Sequence, residues 1–422
     1  MKIKIHRGAS QIGGCVTEIQ TQGAKILIDL GSNLPGTDEE DFSSEDIKRI
    51  TSGVDAIFYT HYHGDHVGFL ADVDEKIPMY IGEGAKEVML CKYNALSAHG
   101  DYSKELAAIN RMKTYYADKA ITLGDIVITP YYCSHSAFDA YMFKIVAEGK
   151  TILHTGDFRK HGYMGSKLIF MLKTFIGQVD VLITEGTMLS RTSEAVKHEK
   201  DIQNEVTEVL KKHKYVFALG SSTDIDRLAS FHAACQKTHR YFYIDKYQES
   251  VLDVFTAHTT SPLFDFSDKG KDKTVFVQWE YRHHRKESVI NVMKKRGFLM
   301  PIRCNSGYLV RSMTNIYTDE KPVLIYSMWS GYWKGSKEQQ IENVLDIRSL
   351  FEPDNIYNIH TSGHADCATL REVCLAVNPR LAIIPIHKDK DTDFRTLQIP
   401  DPLKEIITTE NRTTNSIEII VM

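Results

Sequence analysis

Thr60-His61-Tyr62-His63-Gly64-Asp65-His66 places four side chains able to bind a cation within six residues, directly after the strand-like run Asp55–Thr60. Residues two apart in extended backbone point the same way. His61 and His63 can therefore grip one cation, while Asp65 and His66, beyond a turn at Gly64, face a second. Imidazole and carboxylate without thiolate suit Zn²⁺ or another borderline divalent ion. A chance cluster of surface histidines is the competing reading, and three histidines with an aspartate at a strand end weigh against it.

A two-ion site needs more donors than this loop holds, each again just past a strand. His135 follows the run Asp125–Cys133, Asp157 closes Thr151-Ile-Leu-His-Thr-Gly-Asp, and His387 ends Leu381-Ala-Ile-Ile-Pro-Ile-His. Any one alone would more often cap a turn; with the loop they complete a ligand set. The elements that must position them read as strands at Ala24–Leu30, Asp55–Thr60, Thr151–Thr155, Asp180–Thr184, Tyr215–Leu219, Thr274–Gln278, Pro322–Tyr326 and Leu381–Ile386. Helical periodicity over Ala85–Leu96, Asp224–Thr238 and Asp366–Val377 alternates with them, which argues for an α/β architecture. A last strand spans Ser416–Met422, and strand–helix units widen after about Ser190, where a domain changes.

The composition, 42% hydrophobic and 25% charged over 422 residues, excludes disorder and coiled coil and suggests about two or three folding units. No apolar run is long enough to span a bilayer, and the charge-broken start Met1-Lys-Ile-Lys-Ile-His-Arg forms no signal-peptide core, so a cytoplasmic location is expected. Seven scattered cysteines without a Cys-x-x-Cys pair read as reduced thiols. A net charge of −4 does not announce a nucleic-acid binder. It conceals a basic segment, Tyr281–Arg303, with Arg282, Arg285, Lys286, Lys294, Lys295, Arg296 and Arg303 against the acid Glu287, partly offset by Asp38-Glu-Glu-Asp. The bland reading of such a run is a solvated helix face; in a nuclease it could instead track the backbone of a single strand.

Asp29, the His61/His63/Asp65/His66 loop, His135 and Asp157 resemble motifs one to four of the metallo-β-lactamase superfamily. The chain also resembles the β-CASP branch, whose members cut nucleic acids. Glu185 in Leu182-Ile-Thr-Glu-Gly-Thr looks like motif A, His364 in Thr361-Ser-Gly-His-Ala-Asp like motif B, and His387 like motif C. Thr155-Gly-Asp-Phe-Arg and Ser362-Gly-His-Ala are most similar to bacterial ribonuclease J and its shorter relatives. Lys388-Asp389 stands where ribonuclease J has Gly-Glu, and Gly-Thr follows the motif A acid where Ser or Asn is more usual.

The resemblance implies an α/β fold, a metallo-β-lactamase αββα sandwich over 1–190 and 354–422 with a β-CASP α/β domain inserted at 191–353. It implies two Zn²⁺ per chain, Mn²⁺ being the alternative. One ion would take His61, His63 and His135, the other Asp65, His66 and His387, with Asp157 bridging and Asp29 accepting a hydrogen bond from a ligand imidazole. Two cations roughly 3.5–4 Å apart acidify a shared water and stabilise charge growing on a phosphate. His364, kept protonated by Glu185, would give the departing sugar oxygen its proton. The implied catalytic set is Asp65, Asp29, Glu185 and His364, and the implied activity is hydrolysis of single-stranded RNA from the 5′ end, internally or both, in a groove between the two domains. A DNA nuclease of the same chemistry is the alternative. A small-molecule metallo-hydrolase shares the loop but not Glu185, the inserted domain or His364, and a binding subunit with a dead site would lack ligands present here. The oligomeric state does not carry over.

Gly220-Ser-Ser-Thr-Asp224, between a strand and a helix, could offer backbone N–H groups to an anion or simply cap the helix; Ser362-Gly363 precedes Asp366–Val377 in the same way. The resemblance implies that Ser221, Ser222, Ser362 and Gly363 hold the 5′ phosphate. Tyr326-Ser-Met-Trp-Ser-Gly-Tyr-Trp333 is expected to pack the two domains together rather than to stack bases.

Overall fold

The structure is a computed structural model describing residues 1–37, 39–192, 194–270, 273–278, 283–408 and 417–421. Asp38 of the acidic stretch, Tyr281 and Arg282 of the basic segment, and both ends of the expected strand Ser416–Met422 lie outside the described residues. The chain forms two compact units, Met1–Ala195 with Gly363–Met422, and Val196–Ser362.

In the first unit, six strands come early: β1 (Lys2–Arg7), β2 (Val16–Gln20), β3 (Lys25–Ile28), β4 (Ala56–Phe58), β5 (Met79–Gly82) and β6 (Lys113–Tyr115). Five follow: β7 (Ile121–Leu123), β8 (Ile126–Cys133), β9 (Ala140–Ala147), β10 (Lys150–His154) and β11 (Val181–Glu185). The second unit supplies β12 (Tyr215–Leu219), β13 (Tyr241–Asp245), β14 (Val275–Gln278), β15 (Phe298–Ile302), β16 (Val323–Tyr326) and β17 (Ile356–Asn358), before β18 (Ala382–Ile386) and β19 (Ile417–Ile420) return to the first.

The first unit is an αββα sandwich of a seven-stranded sheet, β19-β1-β2-β3-β4-β5-β6, and a six-stranded sheet, β18-β11-β10-β9-β8-β7. Ile3, Ile26, Ile28 and Phe58 from one sheet and Ile128, Phe143, Ile183 and Ile384 from the other share one core between them. The alternate residues Leu27, Ile57 and Ile81 point the opposite way and are equally buried, so a helical layer must cover that face. The helix Glu83–Leu96 packs against β5 and buries Ala85, Val88 and Met89. On the outer side of the second sheet, Leu168, Leu172, Val373 and Val377 from helical segments close over Leu153, Leu182 and Ile383.

The second unit is an all-parallel sheet, β14-β13-β15-β12-β16-β17. β12, β13 and β16 are buried along almost their whole length, as expected where crossover helices cover both faces of a parallel sheet. Because β17 pairs with β16, this unit extends to Ser362 rather than closing at 353. Within the Tyr326–Trp333 run, Tyr326 and Trp333 pack in this unit's own core. Tyr326 is buried, its ring is 6.3 Å from that of Trp333, and Arg348 lies 3.5 Å over the indole.

A candidate metal centre at the strand ends

Every candidate ligand sits just beyond the carboxyl end of a strand of the sandwich: His61 and His63 after β4, His135 after β8, Asp157 after β10, Glu185 at the end of β11, and His387 after β18. Two departures from extended backbone aim the side chains. Gly64–Val67 is a single helical turn that brings Asp65 and His66 inward. Asp29 and His387 hold left-handed backbone at φ 61° and 50°, a conformation that costs a non-glycine residue of order 1 kcal/mol and concentrates at working sites.

The turn is tied down by Cys15 N–H donating to Asp65 O (2.9 Å), Leu30 N–H to His66 O (2.8 Å) and Ser32 N–H to Gly64 O (3.1 Å). This close approach is why residue 31 must be glycine: an added Cβ would collide with the Asp65 carbonyl.

One group of donors is His61, His63 and His135. His61 Nε2 lies 3.1 Å and His135 Nε2 3.2 Å from His63 Nδ1. Thr60 Oγ1 donates to Asp29 Oδ2 at 2.8 Å, so it accepts from His61 Nδ1 at 3.0 Å; His135 Nδ1 donates to Gly363 O at 2.7 Å. Both Nε2 atoms are thereby lone-pair atoms, and a single proton on His63 Nδ1 cannot serve them both. A cation can. Burial drives His61 and His135 well below the usual histidine range, reinforced by neighbouring imidazoles, and burial brings His63 to about 4. These are neutral rings, the form that binds metal.

The other group is Asp65, His66, Asp157 and His387. Asp157 Oδ2 is 3.2 Å from His66 Nε2, 3.3 Å from His387 Nε2 and 4.0 Å from His135 Nε2, so this one carboxylate reaches both groups. His387 Nε2 also meets Asp65 Oδ2 at 3.0 Å. Burial alone would raise both carboxyls. The imidazoles of His66 and His387 outweigh it at Asp65, as those of His387, His66 and His364 do at Asp157, and hold them ionised. For His66, burial is outweighed by Asp157, Asp29 and Asp65, which favour a positive charge at the ring, and its buried Nε2, although 3.2 Å from Asp157 Oδ2, makes no well-aligned hydrogen bond. Donor chemistry and orphaned nitrogen both fit a divalent cation.

Asp29 is fully buried behind the cage, accepting from Thr60 N at 2.7 Å and from His66 Nδ1 at 2.8 Å. Beside the cage, His364 Nδ1 donates to Glu185 Oε2 at 3.0 Å and lies 3.6 Å from Asp157 Oδ2. Burial would lower His364, but Glu185 and Asp157 outweigh it and raise it above the ordinary histidine value. Glu185 is held by Phe158 N–H at 2.9 Å.

Three neighbours escaped the motif reading. Thr187 Oγ1 is 2.7 Å from His387 Nδ1 and 3.2 Å from His364 Nδ1, and Thr60 orients His61. Hydroxyl residues beside a ligand carry no spacing signal, although Thr187 follows Glu185 by two positions. Cys15 shares a cluster with His66 and His387, yet burial and the charges of Asp157, Asp65 and Asp29 hold it as a thiol.

Of the expected phosphate loops, Gly363 lies at this site through its carbonyl on His135. Ser221 and Ser222 belong to the second unit, where Ser222 Oγ is 3.3 Å from Tyr247 Oη and Asp224 caps the helix Ile225–Thr238. Ser362, the last residue of that unit, is buried.

Residues 14–169 match the metallo-β-lactamase superfamily. An RNase J-like protein of Methanocaldococcus jannaschii is 28% identical over 236 residues, 53% of this chain and 53% of that protein. Ribonuclease J of Helicobacter pylori is 27% identical over 172 residues, 38% of this chain and 23% of the relative, and Integrator complex subunit 11 of Gallus gallus is 23% identical over 250 residues, 52% and 40%. The chain thus spans about half or less of the length of these curated relatives. A crystal structure of a protein of unknown function from Enterococcus faecalis V583 shares the fold, with a TM-score of 0.70 at 16% identity over 100% of this chain and 99% of that one. The donor cage at the strand ends, the Glu185–His364 pair beside it and these relatives agree: residues 14–169 match the metallo-β-lactamase superfamily, and the chain is similar to ribonuclease J-like proteins.

Proposed function

We propose that the chain is a metal-dependent ribonuclease that hydrolyses phosphodiester bonds of single-stranded RNA, from the 5′ end, internally or both. The observation that carries this reading is the pairing of His364 Nδ1 with Glu185 Oε2 at 3.0 Å beside the cage, an arrangement that favours a protonated imidazole and so a proton donor for the leaving oxygen of a phosphodiester. The names of the ribonuclease relatives support RNA as the substrate.

In this reading His61, His63 and His135 would hold one ion and Asp65, His66 and His387 the other, with Asp157 within reach of both groups. Zn²⁺ best fits the imidazole-rich set, with Mn²⁺ as the alternative. Bound there, such ions acidify water and offset the charge of a phosphate under attack. Asp29 fixes the tautomer of His66 so that Nε2 carries the lone pair. His364 delivers its proton to the departing sugar oxygen and Glu185 keeps it charged until then. The carbonyl of Gly363 orients His135, and the adjacent Ser362 together with Ser221 and Ser222 is the proposed grip on the 5′ phosphate.

Metal-loaded protein should degrade single-stranded RNA and lose that activity on His364→Ala or Asp157→Asn. Parallel reactions on 5′-monophosphate, 5′-hydroxyl and circular RNA and on matched DNA assign the mode: loss of circular RNA means internal cutting, and a strict need for a free 5′ end excludes it. Intact RNA beside degraded DNA would reject the ribonuclease assignment.

A further inference from the structure

The basic run Tyr281–Arg303 is left unexplained by the metal centre, and the structure sorts its described arginines into two kinds. Arg303 pairs with Asp245 and lies 4.9 Å over the ring of Tyr247. Arg296 donates to the carbonyls of His239 (2.7 Å) and Lys273 (2.6 Å) and covers Tyr241 at 4.2 Å. Both are consumed in holding the second unit together.

Arg285 is exposed and held by hydroxyls alone. Its Nε and Nη2 donate to Ser312 Oγ at 3.2 and 3.0 Å, and Nη2 also reaches Tyr308 Oη at 3.1 Å. Both hydrogens of Nη1 stay available. His284 Nε2 meets the same Ser312 oxygen at 3.1 Å, so the hydroxyl is fixed from two sides. Arg311, on the helix Gly307–Thr314 that carries Tyr308 and Ser312, is also exposed. No carboxylate among the described residues pairs with either guanidinium. They share a groove of about 430 Å³ lined also by Ile290, Tyr308, Ser312 and Ile316.

Two guanidinium groups in one groove repel each other, and a chain with more acids than bases has ample means to neutralise them internally. Leaving both without an acid, and one oriented by neutral donors and acceptors, suits an anion from outside. The planar fork of arginine matches phosphate oxygens. Tyr308, with 59% of its surface exposed, adds an aromatic face at the mouth, the kind of surface on which a base of an unpaired strand stacks. The groove lies between the stretch that holds Arg285 and Ile290 and the helix Gly307–Thr314 with the residues that follow it.

We propose that this groove is a second nucleic-acid contact, taking a phosphodiester group of single-stranded RNA between Arg285 and Arg311 with a base against Tyr308. The identity of the ligand rests on the nuclease reading; the groove does not.

The test uses full-length protein, held in chelator so that RNA survives, and a fluorescently labelled single-stranded oligoribonucleotide read by anisotropy across a salt series. Arg311→Gln removes a side chain that pairs with no carboxylate among the described residues, so folding should be preserved. It should weaken binding several-fold, and Arg285→Gln/Arg311→Gln roughly tenfold or more. The slope of log affinity against log salt should fall by about 1 per arginine, whereas Tyr308→Leu should cost affinity without changing the slope. Metal-loaded turnover of bis(p-nitrophenyl) phosphate, which offers the metal centre a single small diester, should not change. Unaltered affinity and slope in Arg311→Gln and the double variant would overturn the proposal even if the wild type cleaves RNA. Binding that depends on both arginines, in a protein whose metal-loaded form leaves RNA intact, would instead uphold the groove and remove the nuclease reading.

Discussion

At the scale of single residues, the metal cage depends on atoms that never touch a metal. Each imidazole with its Nδ1 committed to an acceptor must present Nε2, and the acceptors are modest: Thr60 for His61, Gly363 O for His135, Asp29 for His66, Thr187 for His387. Thr187 is the most instructive, because its one hydroxyl also lies 3.2 Å from His364. Thr187→Val keeps shape and removes the acceptor. The expected outcome is a roughly 10–100-fold loss of metal affinity with the thermal transition of the metal-free protein little changed, measured by competition with a chromophoric chelator. Affinity equal to wild type would show that packing alone positions His387.

At the scale of elements, the opening Lys2-Ile-Lys-Ile-His-Arg alternates half-buried and buried positions, and β1 lies between β19 and β2. Lys2, Lys4 and His6 lie on the half-buried side of this strand, and Arg7 is buried with Ile3 and Ile5. On β2, Glu18 is buried 3.0 Å from His6 Nε2 and 3.2 Å from Lys25 Nζ. Burial would raise its carboxyl, but His6 and Lys25 outweigh it and lower it from 4.5 to about 2. A depressed folded value stabilises the native state above the unfolded value and loses that contribution as pH falls through the folded one. Glu18→Gln should therefore cost up to about 3 kcal/mol above pH 5, with the difference from wild type shrinking from pH 4.5 and vanishing near pH 2. Urea titrations across that range would read it, and a constant difference at all pH values would assign the loss to packing instead.

At the scale of the whole molecule, the chain leaves the sandwich after Ala195, builds a second compact unit on its own parallel sheet, and returns at Gly363 to supply His364, β18 and His387. All candidate metal ligands lie in the first unit. Removing metal leaves Asp65 and Asp157 buried beside histidines with no cation, whereas the core of the second unit, built on Phe217, Tyr243, Phe298 and Leu324, is indifferent to it. Calorimetry should resolve a transition that drops on chelation and recovers when Zn²⁺ is restored, by about 2.7 kcal/mol at a hundredfold excess over the dissociation constant. A second transition should stay put. Equal movement of both would show that the two units unfold as one.

How much of this was legible without coordinates differs by residue. That His61, His63, Asp65, His66, His135, Asp157 and His387 gather at one place could be expected, because metal chemistry restricts residue type and because each follows an apolar, β-branched run whose period is local. Strands such as Tyr215–Leu219, and helices such as Ile225–Thr238 behind its Asp224 cap, were readable for the same reason. The place of Tyr326 and Trp333 was not: aromatic residues pack equally well in many settings, and only the tertiary structure puts Arg348 over Trp333. Nor could residue order separate the arginines of one basic run. Arg303 finds Asp245 and Arg296 finds backbone carbonyls, while Arg285 shares a groove with Arg311 of the helix Gly307–Thr314.

By itself, the order of residues determined which groups could bind metal and that strands and helices alternate, since both follow from side-chain chemistry and short-range periodicity. Only the tertiary structure decided which nitrogen each histidine presents, that Thr60 and Thr187 govern that choice, and which cations stay unpaired. Those depend on distances between residues such as Thr187 and His387 that are remote along the chain, and folding sets such distances through packing that no local pattern encodes.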